Sequence, residues 1–176
     1  MKKKAFNIIP TSIQHCIVLA FIVAITSCGI YSFKDVSIDY TKIKTIKIGF
    51  IENKARYVNP QLSPRVTDKL QQKIVSQTKL TRTNNDDAHL QISGYISDYS
   101  VSTAAISSTQ ATGNRLTVSV HLFVKNTVEN KNEEFDVSRN FDFSANLSLQ
   151  QAETQLQDEI VRNITDEIFN RLFSNW

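Results

Sequence analysis

Arg115-Leu116-Thr117-Val118-Ser119-Val120-His121-Leu122-Phe123-Val124-Lys125 alternates without a break. Leu116, Val118, Val120, Leu122 and Val124 fall on one side, and Thr117, Ser119, His121 and Phe123 on the other. A period of two marks a strand with one buried face, because successive side chains point to opposite sides of a sheet. The same period flanks it on both sides. In His89–Val101, Leu90, Ile92 and Ile96 oppose Gln91, Ser93, Tyr95, Ser97 and Tyr99. In Glu134–Ser144, Phe135, Val137, Phe141 and Phe143 oppose Asp136, Ser138, Asn140 and Asp142, with Arg139 on the apolar parity as expected of an edge position or a bulge. The polar segment Asn126 to Glu133 makes the last two strands a hairpin. Ser100 to Asn114, rich in Ser, Thr and Ala, shows no periodicity, and its middle reads as a mobile hairpin tip.

Upstream, Thr45 to Ile51 predicts a further strand, with Ile46, Ile48 and Phe50 inward. Ser63 as N-cap and Pro64 at the first helical position predict a helix from Pro64 to Lys79, its apolar stripe Val66, Leu70, Ile74 and Val75. Asn84-Asn85-Asp86-Asp87 is turn chemistry beyond its end. Downstream, Ser148 and Gln151 match a capping box ahead of Leu149, Ala152, Leu156, Ile160, Ile164, Ile168 and Leu172, a helix expected over Leu149 to Phe173.

The order is β-α-β-β-β-α. Four amphipathic strands and two one-sided helices close most simply as an α+β two-layer sandwich: a four-stranded, mostly antiparallel sheet with both helices on one face. The other sheet face is Ser, Thr, Gln, Asn and Tyr rather than Lys and Glu. That suits either plain solvation or a wet, polar partner, and Gln91, Ser93, Tyr95, Thr117, Ser119 and His121 are its partner-facing candidates.

The N-terminal segment is of a different kind. Lys2, Lys3 and Lys4 precede an apolar run from Ile17 to Ile25, and Ile25-Thr26-Ser27-Cys28 forms a lipobox. The apolar run is far shorter than the roughly 20 residues a membrane-crossing helix needs. Residues 1–27 are therefore expected to be a cleaved lipoprotein signal peptide and Cys28 the lipidated first residue of the mature chain. Residues 28–41 then form a tether carrying Tyr31, Phe33 and Tyr40, and 42–176 a single domain. Gly29 stands where an aspartate would signal inner-membrane retention, which by analogy favours the periplasmic face of the outer membrane.

Removing 27 residues from 176 leaves 149, and the three leader lysines carry the whole formal charge of +3, leaving 17 basic residues against 17 acidic ones. Nucleic-acid binding loses its basic stripe. Cys16 leaves with the leader and Cys28 is consumed by lipid, so neither a disulfide nor a thiolate metal site forms within one mature chain. His89 and His121 have no metal-ligand spacing, the four glycines make no phosphate loop, and no G-x-S-x-G motif is present. No cofactor, metal or catalytic residue is expected, and no enzyme activity. Lys42, Lys44 and Lys47 cluster at the first strand, either as charged decoration of an edge or as contacts to an anionic lipid headgroup. Arg115 could act in the second way through a bidentate phosphate contact.

Cys28-Gly29-Ile30-Tyr31-Ser32-Phe33, Asn59-Pro60 with Leu62-Ser63, Asn114-Arg115-Leu116-Thr117-Val118 and the ending Ile168-Phe169-Asn170-Arg171-Leu172-Phe173-Ser174-Asn175-Trp176 together resemble the LPS-assembly lipoproteins (LptE) of Bacteroidota-type bacteria. The resemblance spans essentially the whole mature chain. It implies a non-catalytic outer-membrane lipoprotein of lipopolysaccharide transport, held by acyl chains such as palmitate, that plugs an LptD-type β-barrel and helps deliver lipopolysaccharide to the outer leaflet. The partners it implies are that barrel, lipopolysaccharide and, through the N-terminal lipid, the membrane. The rival reading is a lipid-anchored scaffold subunit of another envelope secretion or transport machine.

Overall fold

The computed structural model describes residues 38–107 and 110–173. The expected signal peptide, Cys28 with most of its tether, and Trp176 lie outside them. Seven elements follow in order: β1 (Thr45–Asn53), α1 (Leu62–Gln77), β2 (Thr81–Arg82), β3 (Leu90–Ser107), β4 (Gln110–Asn126), β5 (Lys131–Ser144) and α2 (Leu149–Phe173).

The α+β class and the two helices agree with the pattern; the sheet does not. It has five strands in the order β2-β1-β3-β4-β5, and β1 pairs in parallel with both β2 and β3. The expected four-stranded, mostly antiparallel sheet is thus corrected to a five-stranded mixed one. Parallel neighbours need a crossover, and α1 supplies it between β1 and the strands that follow. From β3 onward the chain is an antiparallel meander.

Two bulges decide which side chains face the helices. An extra residue in β1 between Ile48 and Ile51 breaks the alternation, so Ile51 is buried and Phe50 is 57 % exposed, the reverse of its expected place. A second, between Ile96 and Asp98 of β3, turns Tyr99 from the polar face to the core, where it is 3 % exposed. Between bulges the period holds. Leu116, Val118, Val120 and Leu122 are fully buried.

Each helix buries one stripe against this floor. Leu62, Val66, Leu70 and Ile74 of α1 repeat at four-residue spacing and are buried, whereas Val75 is exposed. The helix begins before Pro64 and ends at Gln77. Ser63 does not cap it: Gln61 holds that position, the Asn59 side chain accepts the Gln61 N–H (3.0 Å), and Ser63 lies buried in the first turn. Pro64 still falls in the first turn, where a missing N–H costs nothing. Thr78 closes the helix by donating from both its N–H and its hydroxyl to the Ile74 carbonyl. The capping box of α2 is formed as expected, Ser148 N–H to Gln151 Oε1 (2.9 Å) and Gln151 N–H to Ser148 Oγ (3.3 Å).

Arg65–Asp158 (3.0 Å) and Lys73–Asp166 (2.6 Å) bridge the helices with the same offset, so α1 and α2 run side by side in one direction. The outer edge of β1 is sealed by α1, where Thr67 Oγ1 accepts the Ile51 N–H (3.1 Å) and donates to the Ser63 carbonyl (2.8 Å). At the other margin, β5 pairs with β4 without a register break. Arg139 occupies that edge strand and forms an ion pair with Glu167 of α2.

Candidate functional site

Both helices cover one face of the sheet, and among the described residues nothing covers the opposite face. The β4–β5 pairing places every outward residue of one strand directly across from an outward residue of the other. Arg115 Nε and Nη2 grip the Asp142 carboxylate at 2.7 and 2.9 Å. Next come Thr117 Oγ1 to Asn140 Oδ1 (2.9 Å), Ser119 Oγ to Ser138 Oγ (3.0 Å) and His121 Nδ1 with Asp136 Oδ1 (2.9 Å). The result is a ladder of cross-strand pairs whose hydrogen-bonding capacity is largely met within the sheet. The Arg115 guanidinium holds the Asp142 carboxyl below its ordinary range, chiefly through their hydrogen bond.

Further along the face the ladder gives way to rings. Tyr95 lies 5.2 Å from His121 and 6.1 Å from Phe123, and His121 meets Phe123 edge-on at 4.8 Å. Lys54 Nζ sits 4.6 Å above the Tyr95 ring, a cation–π distance. His121 has a carboxylate at each ring nitrogen, Asp136 at 2.9 Å and Glu134 at 3.6 Å. All six partner-facing candidates lie on this open side of the sheet. Thr117, Ser119, His121 and Tyr95 form the ladder and the ring cluster, Ser93 is exposed beside them, and Gln91 turns to donate to the Asp86 carbonyl (2.6 Å).

The pattern of the sequence missed Asp136, Glu134 and Phe123 as members of this cluster. A register count would have found the first. Asn126 pairs with Lys131 at the hairpin turn, and counting back in step puts His121 opposite Asp136 and Arg115 opposite Asp142.

The basic candidates are scattered. Lys42 faces Asp39 (3.6 Å) and Lys47 faces Asp86 (2.5 Å), whose carboxyl it holds below its ordinary range. Lys44 has no ion pair among the described residues; its N–H donates to His89 Nδ1 (2.9 Å). His89 is thereby a fastener between β1 and β3, since its own N–H donates to Thr45 Oγ1 (3.0 Å) and its carbonyl accepts the Thr127 N–H (2.9 Å). These lysines do not decorate a bare edge, because β2 lies outside the start of β1. Arg115 is far along β4 from them. A cleft of about 310 Å³ opens near the start of β3, lined by Ile38, Asp39, Leu90, Lys131, Glu133 and Arg171 among others. Among the described residues no group of three or more His, Cys, Asp or Glu side chains could hold a metal ion.

The open face of this two-layer α+β domain is a ladder of paired polar side chains that ends in a cluster of rings. Residues 43–172 match the family model LptE, described as lipopolysaccharide-assembly, and the chain belongs to that family. It is a lipopolysaccharide-assembly lipoprotein, non-enzymatic, of a family associated with the outer membrane. No curated protein matches it. Among solved structures it is similar to rare lipoprotein B from Shewanella oneidensis (14 % identity, 72 % of this chain and 92 % of that one, TM-score 0.49). It is also similar to the hypothetical protein CT253 from Chlamydia trachomatis (10 %, 74 % and 98 %, 0.48) and to the PelC dodecamer from Paraburkholderia phytofirmans (8 %, 76 % and 91 %, 0.48).

Proposed function

We propose that this lipoprotein is anchored by acyl chains on Cys28 at the periplasmic face of the outer membrane. There it plugs an LptD-type β-barrel and assists lipopolysaccharide insertion into the outer leaflet. The observation that carries the reading is the β4–β5 ladder, with Arg115 neutralised by Asp142 and the hydroxyl and amide pairs satisfied across the strands. A surface entering a barrel lumen meets polar, wet walls. Groups already paired lose little there, whereas unpaired charges would be stripped of water at a cost. Two or more acyl chains anchor stably where one does not, and confinement to the leaflet makes insertion effectively intramolecular.

The candidates for contact with lipopolysaccharide phosphates are Lys42, Lys44, Lys47 and Arg115. Three of them face carboxylates, so a phosphate must displace Asp39, Asp86 or Asp142, while Lys44 needs no such exchange.

The test is recovery of the chain from native membranes in mild detergent, followed by its depletion and an assay of surface lipopolysaccharide. A stoichiometric large barrel protein and loss of surface lipopolysaccharide are the expected results. Recovery alone or with a secretion or transport machine, with surface lipopolysaccharide intact, refutes the plug and favours a scaffold. Cys28→Ser should abolish incorporation of labelled fatty acid into the chain.

A further inference from the structure

The two margins of the long antiparallel strands are defended very differently. β5 carries Lys131, Glu133, Glu134, Asp136, Arg139 and Asp142 within its 14 residues. Charges of this kind are how an exposed edge avoids pairing with another chain. β3 has an open margin too. Its last register partner in β1 is Asn53 opposite Ile96, and the final backbone bond on that side runs from the Lys54 N–H to the Ile96 carbonyl (3.0 Å). β3 nevertheless continues to Ser107, paired among the described residues with β4 alone. Beside it, among the described residues, lies an unpaired lane of ten residues, Asp98 to Ser107, about 33 Å long at the usual strand rise.

Past Asp98, no charge guards this lane. From Ser100 to Asn114 there is neither a charged residue nor a proline. Residues Ser100 to Ala104 are exposed, and Val101, opposite buried Leu116, is 43 % exposed. Tyr57, itself exposed, stacks on Tyr99 at 5.5 Å, and the next residue, Val58, is exposed as well. An unpaired row of backbone N–H and C=O groups recognises one kind of ligand, an extended polypeptide. The neutral, partly apolar flank selects a segment without charge.

We infer that the lane beside β3 receives an extended, uncharged strand of the barrel partner, which continues the sheet where β1 leaves it. This rests on the function proposed above and names the point of attachment. Strand addition draws its affinity from main-chain bonds and its selectivity from alternate side chains. The open polar face stays free for the lumen.

The test uses the full lipidated chain in native membranes, with a photoreactive side chain placed in turn at Ser100 and Ser102. The expected adducts lie on one segment of the barrel protein, at positions two residues apart, because both probes share a face of β3. Val101→Lys should leave the melting temperature of the free chain unchanged and reduce recovery of the barrel about tenfold, since a strand seated there would bury the charge. Adducts on residues 28–37 of this chain, on a second copy, or scattered over the barrel overturn the inference. So does undiminished barrel recovery with Val101→Lys. A wild-type chain that recovers no barrel protein instead refutes the function itself.

Discussion

The Tyr99 hydroxyl donates to Oε1 of Glu153 over 2.8 Å, tying the bulged part of β3 to the second turn of α2. Glu153 also accepts from Asn59 Nδ2 (3.2 Å) and from the Tyr57 hydroxyl (3.3 Å), so one carboxylate gathers the β1–α1 loop, the sheet and the last helix. Burial raises the Tyr99 phenol well above its ordinary value, foremost because the phenolate would be desolvated, and the Glu153 charge adds to this. In the unfolded chain the phenol ionises near pH ~10. The folded state is therefore fully stable in this respect below pH ~10 and loses stability as pH rises further, with a slope of about 1.4 kcal/mol per pH unit. Urea unfolding of Tyr99→Phe should show a flatter alkaline limb than the wild type. Glu153→Ala, which orphans the buried hydroxyl, should destabilise by about 1–3 kcal/mol at neutral pH.

Gly94 sits where β3 and β4 leave no room for a side chain. A Cβ there would lie 2.3 Å from the His121 carbonyl oxygen and 2.9 Å from Leu122 Cδ2. Gly94→Ala should force the strands apart and destabilise by about 1–3 kcal/mol or more. At Gly49 the nearest contact would be 3.3 Å, to the Ile92 carbonyl, so Gly49→Ala should cost less. Equal midpoints for the two variants in urea would contradict the close approach.

The capping box makes a separable claim. Ser148→Ala removes the side-chain acceptor of the Gln151 N–H and should lower stability by about 1 kcal/mol, seen as a lower urea midpoint with an unchanged slope. Ser148→Asp keeps an acceptor at the cap and should retain most of the stability.

Ser119 and Ser138 meet in the middle of the ladder. Ser119→Trp puts a bulky ring there while touching nothing in the core. The free chain should change by no more than about 0.5 kcal/mol, and barrel recovery should fall about tenfold. Wild-type recovery with this variant would mean that the plug seats on some other surface.

How far the sequence spoke depended on whether a feature repeats. Leu116 to Val124 alternates through an unbroken strand, and Leu149 to Phe173 keeps helical spacing over 25 residues, so both could be placed from spacing alone. Phe50 and Tyr99 were misplaced because each follows a one-residue insertion, and such an insertion inverts every later side chain without altering composition. Thr81–Arg82 is too short to show any period. The parallel pairing of β1 with β3 is set by the crossover through α1, which leaves no trace in either strand. Ser100 to Asn114 shows no period because small hydroxylated residues hide their alternation, yet β3 and β4 pair from Ser100 opposite Thr117 to Ser107 opposite Gln110; residues 108–109, in the middle read as a mobile tip, lie outside the described residues. On the open face, the position of Ser119 and His121 was legible. Their partners Ser138 and Asp136 follow only once the register of the hairpin turn is known.

Ile38 packs against the core close to Leu90 and Val124, at the start of β3, whereas Ser107 ends that strand about 55 Å away at ~3.3 Å per residue. Among the described residues the buried core takes in β3 as far as Tyr99, and Ser100 to Ala104 lie exposed beyond it. The hairpin thus overhangs like an eave: shortening it by a few residues at the far end would alter reach while leaving the packed hull untouched.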